Sequence, residues 1–228
     1  MNIHAFICTR SKKLRSVTED LVKWYTKAGI NPCLIVGAKS IFSGYKKALD
    51  RTKPDPGDII ILCHDDIRII TDPEVFKSIL IKKLNPVETG FLGVAGTTKL
   101  GHTGVWWDLN LWQDQKHSGY VMHGESLDNV DPSFYGKYGQ TVCMDGLFLA
   151  ATAHTLNNVG LEKPEEFEGD WDFYDIHYTT KAHLMGLKNY TVPIMILHES
   201  IGMPREMWHK NRGAFLETHE GMFPIEVS

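Results

Sequence analysis

The stretch GDIIILCHDDIRII, residues 57–70, joins a run of apolar, mostly β-branched residues to a histidine and two adjacent aspartates. A continuous apolar run without polar alternation is typical of a strand that is covered on both faces of its sheet. Two neighbouring carboxylates directly after such a strand have two interpretations: they cap backbone amides of a turn, or they hold something positively charged. The stretch therefore predicts a buried strand over 58–63 with polar side chains at its carboxyl end.

The residues before this stretch alternate between strand-like and helix-like patterns. Short apolar runs at 3–8 and 32–37 predict two further strands, and the segments 11–29 and 40–50 carry apolar residues at helical spacing. Alternating strands and helices are typical of a parallel sheet with crossover helices. The sequence predicts an α/β, Rossmann-like fold with a mostly parallel central sheet flanked by helices. Ligands bind such sheets outside the carboxyl ends of the strands.

The second half of the chain changes character and contains fewer regular patterns. In order, it predicts a strand over 90–96, a long ordered loop region over 97–141 with room for a hairpin, a strand over 145–152, a helix over 170–186 and a last strand over 190–200. The tail from residue 203 is polar and aromatic, and we expect it to wrap the surface. Because no repeat, low-complexity tract or clear linker interrupts the chain, we interpret residues 1–228 as a single domain.

Composition and charge exclude several classes of partner. The chain has 228 residues, is 43% hydrophobic and carries a formal charge of −4, which argues against a nucleic-acid groove or an anionic membrane surface. No apolar run approaches the ~20 residues of a transmembrane segment, and the N-terminal basic residues follow the apolar stretch, the reverse of a signal peptide. The four cysteines form no C-x-x-C motif, and three lie in apolar runs. We therefore predict a reducing, cytoplasmic location.

The aspartate pair Asp65 and Asp66 is the first candidate site. Successive side chains of a strand point to opposite faces, so one carboxylate can face a metal while the other meets a sugar hydroxyl or a backbone amide. Carboxylate oxygens suit Mg²⁺ or Mn²⁺. His198 ends the last predicted strand, and if that strand lies in the same sheet its imidazole reaches the same edge and favours Mn²⁺. The alternative for His198 is a half-buried ring bonded to the backbone.

The segment EFEGDWDFYDIHYTTKAH, residues 166–183, is the second candidate. Asp172 and Asp175 are three residues apart and lie on one side of a helix. Asp170 or Asp172 can serve as an ordinary N-cap. A carboxylate packed against aromatic side chains is also where the pKa of a general base can be tuned. Both interpretations remain open for this cluster.

The segment VWWDLNLW, residues 105–112, supplies flat apolar rings next to polar residues. Rings of this kind suit the faces of sugars, and core packing explains any single one of them equally well.

In chain order these pieces resemble the glycosyltransferases of the GT-A fold, in particular the family-2-like group. The resemblance covers roughly residues 2–202. It rests on AFICTR, SGYKKALDRTKPDPGDIIILCHDDI, GFLGVAGT followed by VWW, VCMDGLFLA and WDFYDIHYTTKAHLMGLKNYTVPIMILHESIG. No single segment is specific to this family, but the five segments in this order are.

The resemblance implies a role for each matching position. It assigns the nucleotide side to Thr9, Arg10, Lys46 and Asp65, the metal to Asp66 and His198, catalysis to Asp175 as general base with Asp172, and the acceptor side to Trp106, Trp107, Asp145, Gly146 and Trp171. It also divides the chain into a nucleotide-sugar-binding half (1–96), an acceptor and catalytic half (97–202) and a C-terminal tail (203–228).

The implied activity is transfer of a sugar from a nucleoside-diphosphate sugar, with UDP or GDP as carrier, to the hydroxyl of a glycan or another acceptor. Mn²⁺ or Mg²⁺ assists, and Asp175 makes the reaction an inverting one. Two positions depart from the family pattern. The acidic motif, commonly D-x-D, reads His64-Asp65-Asp66, and the position two past the base, often acidic in relatives, is His177.

Three other functions are compatible with parts of the pattern. A nucleotidyltransferase shares this kind of sheet, but its Gly-rich loop is missing from the turn TRSKKLRS. A metal-dependent hydrolase is disfavoured because the chain has no H-E-x-x-H or H-x-H motif. A non-catalytic sugar- or nucleotide-binding scaffold of the same fold is the third alternative, and His177 is its main support.

Overall fold

The first part of the chain alternates strands and helices as its apolar pattern predicts. The computed structural model of the protein describes residues 1–200 and 202–227. Its first elements are β1 (Ile3–Thr9), α1 (Ser16–Lys27), β2 (Asn31–Val36), α2 (Ile41–Thr52), β3 (Ile59–Cys63), β4 (Ile67–Ile69), α3 (Pro73–Leu84) and β5 (Thr89–Gly93). The predicted strand over 90–96 divides between β5 and the next strand.

The second part contains shorter elements. They are β6 (Ala95–Thr97), β7 (Lys99–Leu100), α4 (Leu109–Gln113), β8 (His117–Ser126), β9 (Asn129–Gly136), β10 (Gln140–Thr141), β11 (Cys143–Met144), β12 (Phe148–Thr152), α5 (Ala153–Val159), α6 (Tyr174–Leu184), β13 (Lys188–Thr191), β14 (Ile196–His198), α7 (Glu206–Thr218) and β15 (Ile225–Glu226). The region 97–141 thus holds a long hairpin, β8–β9, and the tail adds a helix of 13 residues, α7.

A seven-stranded sheet in the order β10-β13-β5-β12-β3-β1-β2 forms the centre of the molecule. The predicted α/β class with a central sheet flanked by helices is confirmed, and the sheet is mixed rather than purely parallel. β1 runs parallel to β2 and β3, whereas β12 lies antiparallel between β3 and β5. The chain enters β12 at Phe148, which pairs with Cys63 at the end of β3, so β12 has to run against its neighbour. Asp145 and Gly146 are thereby held beside the carboxyl end of β3.

A second sheet, in the order β11-β6-β8-β14-β4, contains the end of the last predicted strand. Residues 190–200 were expected to form one strand of the central sheet. Instead β13 pairs with β5 there, and after Pro193, which has no amide proton, the chain crosses into the second sheet as β14. His198 therefore lies opposite Ile67 of β4 and reaches the aspartate pair from the second sheet.

Helix α6 places its aromatic and acidic residues at the end of the central sheet. It begins after Phe173, whose φ of 69° lies in the left-handed region, and no side chain caps its first turn. The N-cap interpretation of Asp170 and Asp172 is therefore wrong. Leu184, in the last turn of this helix, is 40% exposed.

No helix within residues 1–200 and 202–227 has both the length and the apolar character that crossing a bilayer requires.

The buried amide of Asn189 ties together several elements below the site. Its Oδ1 accepts a hydrogen bond from the backbone amide of Phe91 (2.9 Å), and its Nδ2 donates to the carbonyl oxygens of Val142 (3.0 Å) and Thr179 (2.7 Å). The side chain is fully buried, so water cannot replace these partners. One residue thus joins β5, β13, the chain before β11 and helix α6.

We expect Asn189→Ala to lower the free energy of unfolding by about 2–4 kcal/mol, because it leaves three buried backbone groups without partners. Urea unfolding followed by circular dichroism measures the loss. The matched control is Asn158→Ala on the exposed face of α5, where the side-chain amide contacts the exposed ring of His154. We expect the free energy of unfolding of this variant to change by no more than about 0.5 kcal/mol. Equal stability of the two variants would contradict the role given to Asn189.

Candidate active site

A cavity of about 570 Å³ lies between the carboxyl end of β3, the start of α6, the hairpin β8–β9 and the start of α7. Its size is typical of a small-molecule site. Seven residues singled out from the sequence line it: Trp106, Trp107, Asp145, Trp171, Asp172, Asp175 and His198. The fold therefore brings segments that are distant in sequence to one place.

His64 and His198, which line the cavity, and Asp66 behind them could together hold a metal ion. The Nε2 atom of His198 lies 3.2 Å from Oδ1 of Asp66 and 3.3 Å from Nδ1 of His64, and that Nδ1 lies 3.8 Å from the same carboxylate oxygen. Donor atoms bound at about 2.0–2.2 Å to a single ion lie roughly 3–3.6 Å apart. Two imidazoles with one carboxylate are a donor set for transition ions such as Mn²⁺. The residues present fit a divalent cation.

The hydrogen bonds of His64 leave its inner nitrogen free to act as a ligand. Tyr174 donates its hydroxyl proton to the carbonyl oxygen of Gly146 (2.9 Å), so the same hydroxyl accepts from Nε2 of His64 (3.0 Å). In the neutral ring this tautomer leaves a lone pair on Nδ1, which faces Asp66 and His198. Burial and the neighbouring His198 lower the pKa of His64, which favours the neutral ring.

Asp66 supplies the negative charge of this cluster. Burial alone would raise the pKa of its carboxyl, but the hydrogen bond from His198 and the proximity of His64 hold that pKa well below its usual range. The side chain is 8% exposed. A buried carboxylate that stays ionised beside two imidazole nitrogens attracts a cation.

Asp65 lies with Asp66 in the turn between β3 and β4 rather than on a strand, and its carboxylate contacts Arg15 instead of the two imidazoles. Its Oδ1 accepts a hydrogen bond from Arg15 (3.2 Å), and the same guanidinium lies 3.8 Å from Asp66 and 3.9 Å from Glu199. The hydroxyl of Thr18 donates to the carbonyl oxygen of Asp65 (2.8 Å). Arg15 thus partly neutralises the acidic groups on the open side of the cluster.

Asp175 lies at the start of α6 with its carboxylate held by the chain in front of β12. Its Oδ2 accepts a hydrogen bond from the backbone amide of Gly146 (2.8 Å). Burial, and then the negative charge of Asp145, raise its pKa to about 7. A Cβ at position 146 would collide with the Tyr174 hydroxyl and lie 2.8 Å from Cβ of Asp175. Only glycine therefore fits between these side chains.

The second carboxylate of the segment, Asp172, lies at the cavity between two arginines. Burial raises its pKa, and the charges of Arg10 and Arg205 act against that shift. Arg10 also stacks over the ring of Trp171 at 4.6 Å, and the Trp171 indole N–H donates to the carbonyl oxygen of Lys39 (2.9 Å). The segment before α6 is thus tied to both the first and the second strand–helix turn.

Asn211 of α7 holds the same segment from the other side. Its Oδ1 accepts from the amide of Gly169 (2.8 Å), and its Nδ2 donates to the carbonyl oxygens of Gly169 (3.1 Å) and Asp172 (2.9 Å). The side chain is fully buried. The tail was expected to wrap the surface, but through Asn211 it helps to fix the backbone that carries Trp171 and Asp172.

None of the four residues assigned to the nucleotide side, Thr9, Arg10, Lys46 and Asp65, lines the cavity. Thr9 is buried at the end of β1, where its hydroxyl accepts from the amide of Ser11 (3.2 Å). Lys46 is not brought to the site: its ammonium pairs with Asp50 one turn along α2 (3.1 Å) because both side chains face solvent. Arg10 reaches the cavity edge only through its contact with Trp171.

Several site residues were missed by sequence reasoning. His64 was treated as a departure from an acidic motif, although its place in that motif was the available signal. Tyr174 was noted only as an aromatic neighbour of the acids. Tyr135 and Trp208 also line the cavity, and they come from a region interpreted as loop and from the tail. No local pattern in those regions indicates that they approach the site.

Comparison with known proteins connects this geometry to a family. A family model described as "Glycosyltransferase like family" matches residues 18–219. The comparison with curated proteins gives no significant match.

Solved structures share the fold at low sequence identity. A197 from STIV is 13% identical, with 88% of this chain and 86% of that chain covered and a TM-score of 0.52. GalNAc-T7, solved with UDP, GalNAc and Mn²⁺, is 9% identical, with 88% of this chain and 44% of that chain covered and a TM-score of 0.54. The chain thus spans less than half the length of GalNAc-T7. At these identities the likeness shows the fold alone, and that fold is GT-A.

The raised pKa of Asp175 predicts how stability depends on pH. Between its ordinary value of 3.8 and about 7 the folded protein binds more protons than the unfolded chain. The free energy of unfolding therefore falls as pH rises through this window. We expect Asp175→Asn to be more stable than the wild type near pH 8 by about 1–3 kcal/mol, since the cavity leaves the carboxyl partly hydrated, and equally stable near pH 4.

Urea unfolding at the two pH values measures this difference. The control is Asp170→Asn, whose exposed carboxylate pairs with Lys163 (3.1 Å), and we expect it to leave the pH dependence as in the wild type. A wild-type-like profile for Asp175→Asn would contradict the burial argument.

Proposed function

Because the chain belongs to the glycosyltransferase-like family, we propose that it transfers a sugar from a nucleoside-diphosphate sugar to the hydroxyl of an acceptor. The expected resemblance to GT-A glycosyltransferases is confirmed by the family match over residues 18–219 and by the fold of the solved neighbours. The identities of donor, metal and base are our own inference from the site.

One observation carries the proposal. The cation-binding cluster of His64, Asp66 and His198 and the carboxyl of Asp175, with a pKa raised to about 7, meet through Tyr174, which contacts both His64 and the carbonyl oxygen of Gly146. Transfer from a diphosphate donor needs a cationic centre for the leaving group and a base for the incoming hydroxyl. In this proposal the cluster provides the cationic centre and Asp175 the base, and the contacts of Tyr174 connect the two.

His64, Asp66 and His198 would hold Mn²⁺ or Mg²⁺, and the two imidazoles favour Mn²⁺. When bound there, such an ion neutralises charge that develops on a departing diphosphate. The presence of UDP, GalNAc and Mn²⁺ in the GalNAc-T7 structure supports a UDP-sugar as donor, with a hexose as the transferred group. A GDP carrier is the alternative.

Residues around the first strand–helix turn would orient the nucleotide. Asp65, fixed by Arg15, is directed to the ribose side, and Arg10 and Thr9 belong to the adjoining turn. Lys46 receives no support from its position on α2. In this proposal residues 1–96 bind the donor, residues 97–202 bind the acceptor, and the tail contributes through α7.

Asp175 would act as the general base in an inverting displacement. In its ionised form the carboxylate removes the proton of the acceptor hydroxyl while that oxygen bonds to the anomeric carbon. The bond from that carbon to the diphosphate oxygen breaks, and its electron pair leaves with the diphosphate. A base whose pKa lies near neutrality is suited to this transfer, and general-base help is worth ~10²–10⁴-fold. Asp172 stands beside it as a second carboxylate for the hydroxyl groups of the substrates.

His177, the main support for a non-catalytic scaffold, is not part of the site. Its ring packs against Phe167 at 5.5 Å, and burial lowers its pKa to about 4, so it is a neutral packing residue. An acidic side chain is not needed there for the roles proposed for Asp175 and the metal cluster. The four free cysteines fit a reducing compartment, and a cytoplasmic location stays a prediction.

We expect Asp175→Asn to reduce the rate of sugar transfer by ~10²–10⁴-fold, because the amide cannot accept the proton. Donor binding should change little, since Asn keeps the oxygen that accepts from Gly146. A coupled assay of nucleoside-diphosphate release, over a panel of UDP- and GDP-sugars with Mn²⁺, measures turnover, and calorimetry measures nucleotide affinity. The control is Asp170→Asn. Parallel loss of turnover and nucleotide binding would instead assign Asp175 a structural role.

We expect His64→Ala and His198→Ala each to weaken Mn²⁺ binding at least tenfold, because each removes one of three ligands. Isothermal calorimetry with Mn²⁺ alone measures this without any substrate. His154→Ala is the control, as that ring is exposed on α5 and contacts Asn158. Unchanged Mn²⁺ affinity in both site variants would refute the metal cluster.

A further inference from the structure

A continuous row of aromatic rings extends from the proposed base to the mouth of the cavity. Consecutive ring centroids are 5.1–5.5 Å apart, and all six residues line the cavity. We call this row the aromatic wall; in order it consists of Phe173, Trp208, Trp107, Trp106, Tyr135 and Trp112. It begins two residues before Asp175 and ends on α4.

The wall is buried at its inner end and open at its outer end. Phe173 and Trp106 are 1% and 2% exposed and support the others, whereas Trp107 and Tyr135 are half-buried and Trp112 is 39% exposed. Trp112 is held in place by stacking on the ring of His117 at 4.4 Å with an interplanar angle of 29°. A large exposed ring fixed at a cavity mouth offers a rigid face for stacking.

The groups beside the wall are polar and would suit hydroxyls. Ser133 lies two residues before Tyr135 on the same side of β9 and lines the cavity with it. Burial, and then the negative charge of Asp145, raise the pKa of Tyr135 to about 12. Asp172 lines the same cavity. A sugar ring has an apolar face for the aromatic rings and an edge of hydroxyls for such acceptors. A lipid chain bound here would bury these carboxylates without giving them hydrogen-bond donors, which costs free energy.

We propose that the acceptor is an oligosaccharide of at least two sugar units, bound along the aromatic wall with its reactive hydroxyl at Asp175 and an earlier unit stacked on Trp112. This inference rests on the proposed function and specifies its acceptor. The sugar units would contact the accessible rings of the wall, which are Trp107, Tyr135 and Trp112, while the buried rings hold these in place. Trp112 stands at the opposite end of the wall from Phe173, and we assign it to a different sugar unit from the one that reacts at Asp175.

The test compares acceptor binding with acceptor length. The probes are an array of glycans from one to six units, applied to the Mn²⁺-loaded protein with UDP, with bound glycans then titrated by tryptophan fluorescence and saturation-transfer NMR. We expect affinity to rise from one to two or three units. Trp112→Ala should lower the affinity for the longer glycans roughly tenfold, the order expected for truncating one aromatic anchor, and leave single sugars unaffected. Trp112→Phe should restore most of the loss.

Phe134→Ala is the matched control, because this side chain is 65% exposed on the opposite face of β9 from Tyr135 and does not line the cavity. Its affinity should equal that of the wild type. Affinity that is independent of glycan length, or a Trp112→Ala protein equal to the wild type, would overturn the inference.

Two further results would also overturn this inference, and both can be distinguished from a failure of the proposed donor chemistry. Binding of vesicles that carry polyprenyl phosphate, reduced in Trp112→Ala, would assign the wall to a lipid. Nucleotide and Mn²⁺ binding with donor hydrolysis, but no binding of any glycan, would retain the proposed function and reject this acceptor. Absence of nucleotide binding would instead reject the proposed function itself.

Discussion

The site depends on keeping one ionised carboxylate buried where two sheets meet. Asp66 lies between β3 and β4, and the cost of removing its charge from water is offset by two imidazoles, one from its own loop and one from β14. Those partners come from positions 64 and 198, so the arrangement exists only if the chain crosses from the central sheet into the second one after Pro193. The register of β14 against β4, with His198 opposite Ile67, sets the position of the second ring.

Tyr174 couples this charge centre to the acid at the head of α6. Its hydroxyl orients His64 and simultaneously bonds the carbonyl of Gly146, whose amide holds Asp175. Because residue 146 is a glycine, no side chain blocks the approach of Tyr174 and Asp175 to this part of the backbone. The tautomer of one ring and the location of one carboxylate are therefore consequences of the same phenol.

How much of this could be predicted from the sequence depends on the range of the interactions involved. The buried strand over 58–63 follows from its continuous apolar run, and the strand–helix pattern predicted the α/β class. The direction of β12 and the sheet that β14 joins depend on contacts between distant segments, so local patterns did not predict that the central sheet is mixed. His64 could not be identified as a ligand because its free nitrogen is determined by Tyr174, 110 residues away. Trp208 is placed by the packing of α7, which leaves no local trace.

The clasp formed by Asn211 has a consequence for how the protein is made. The backbone that carries Trp171 and Asp172 gains its three hydrogen bonds from a side chain about 40 residues nearer the carboxyl terminus. During synthesis from the amino end, the ribosome releases that amide only after both sheets have emerged. A nascent chain that stalls before this point already contains the acidic residues and histidines of the site. It lacks the Asn211 side chain, which holds one side of the cavity in place.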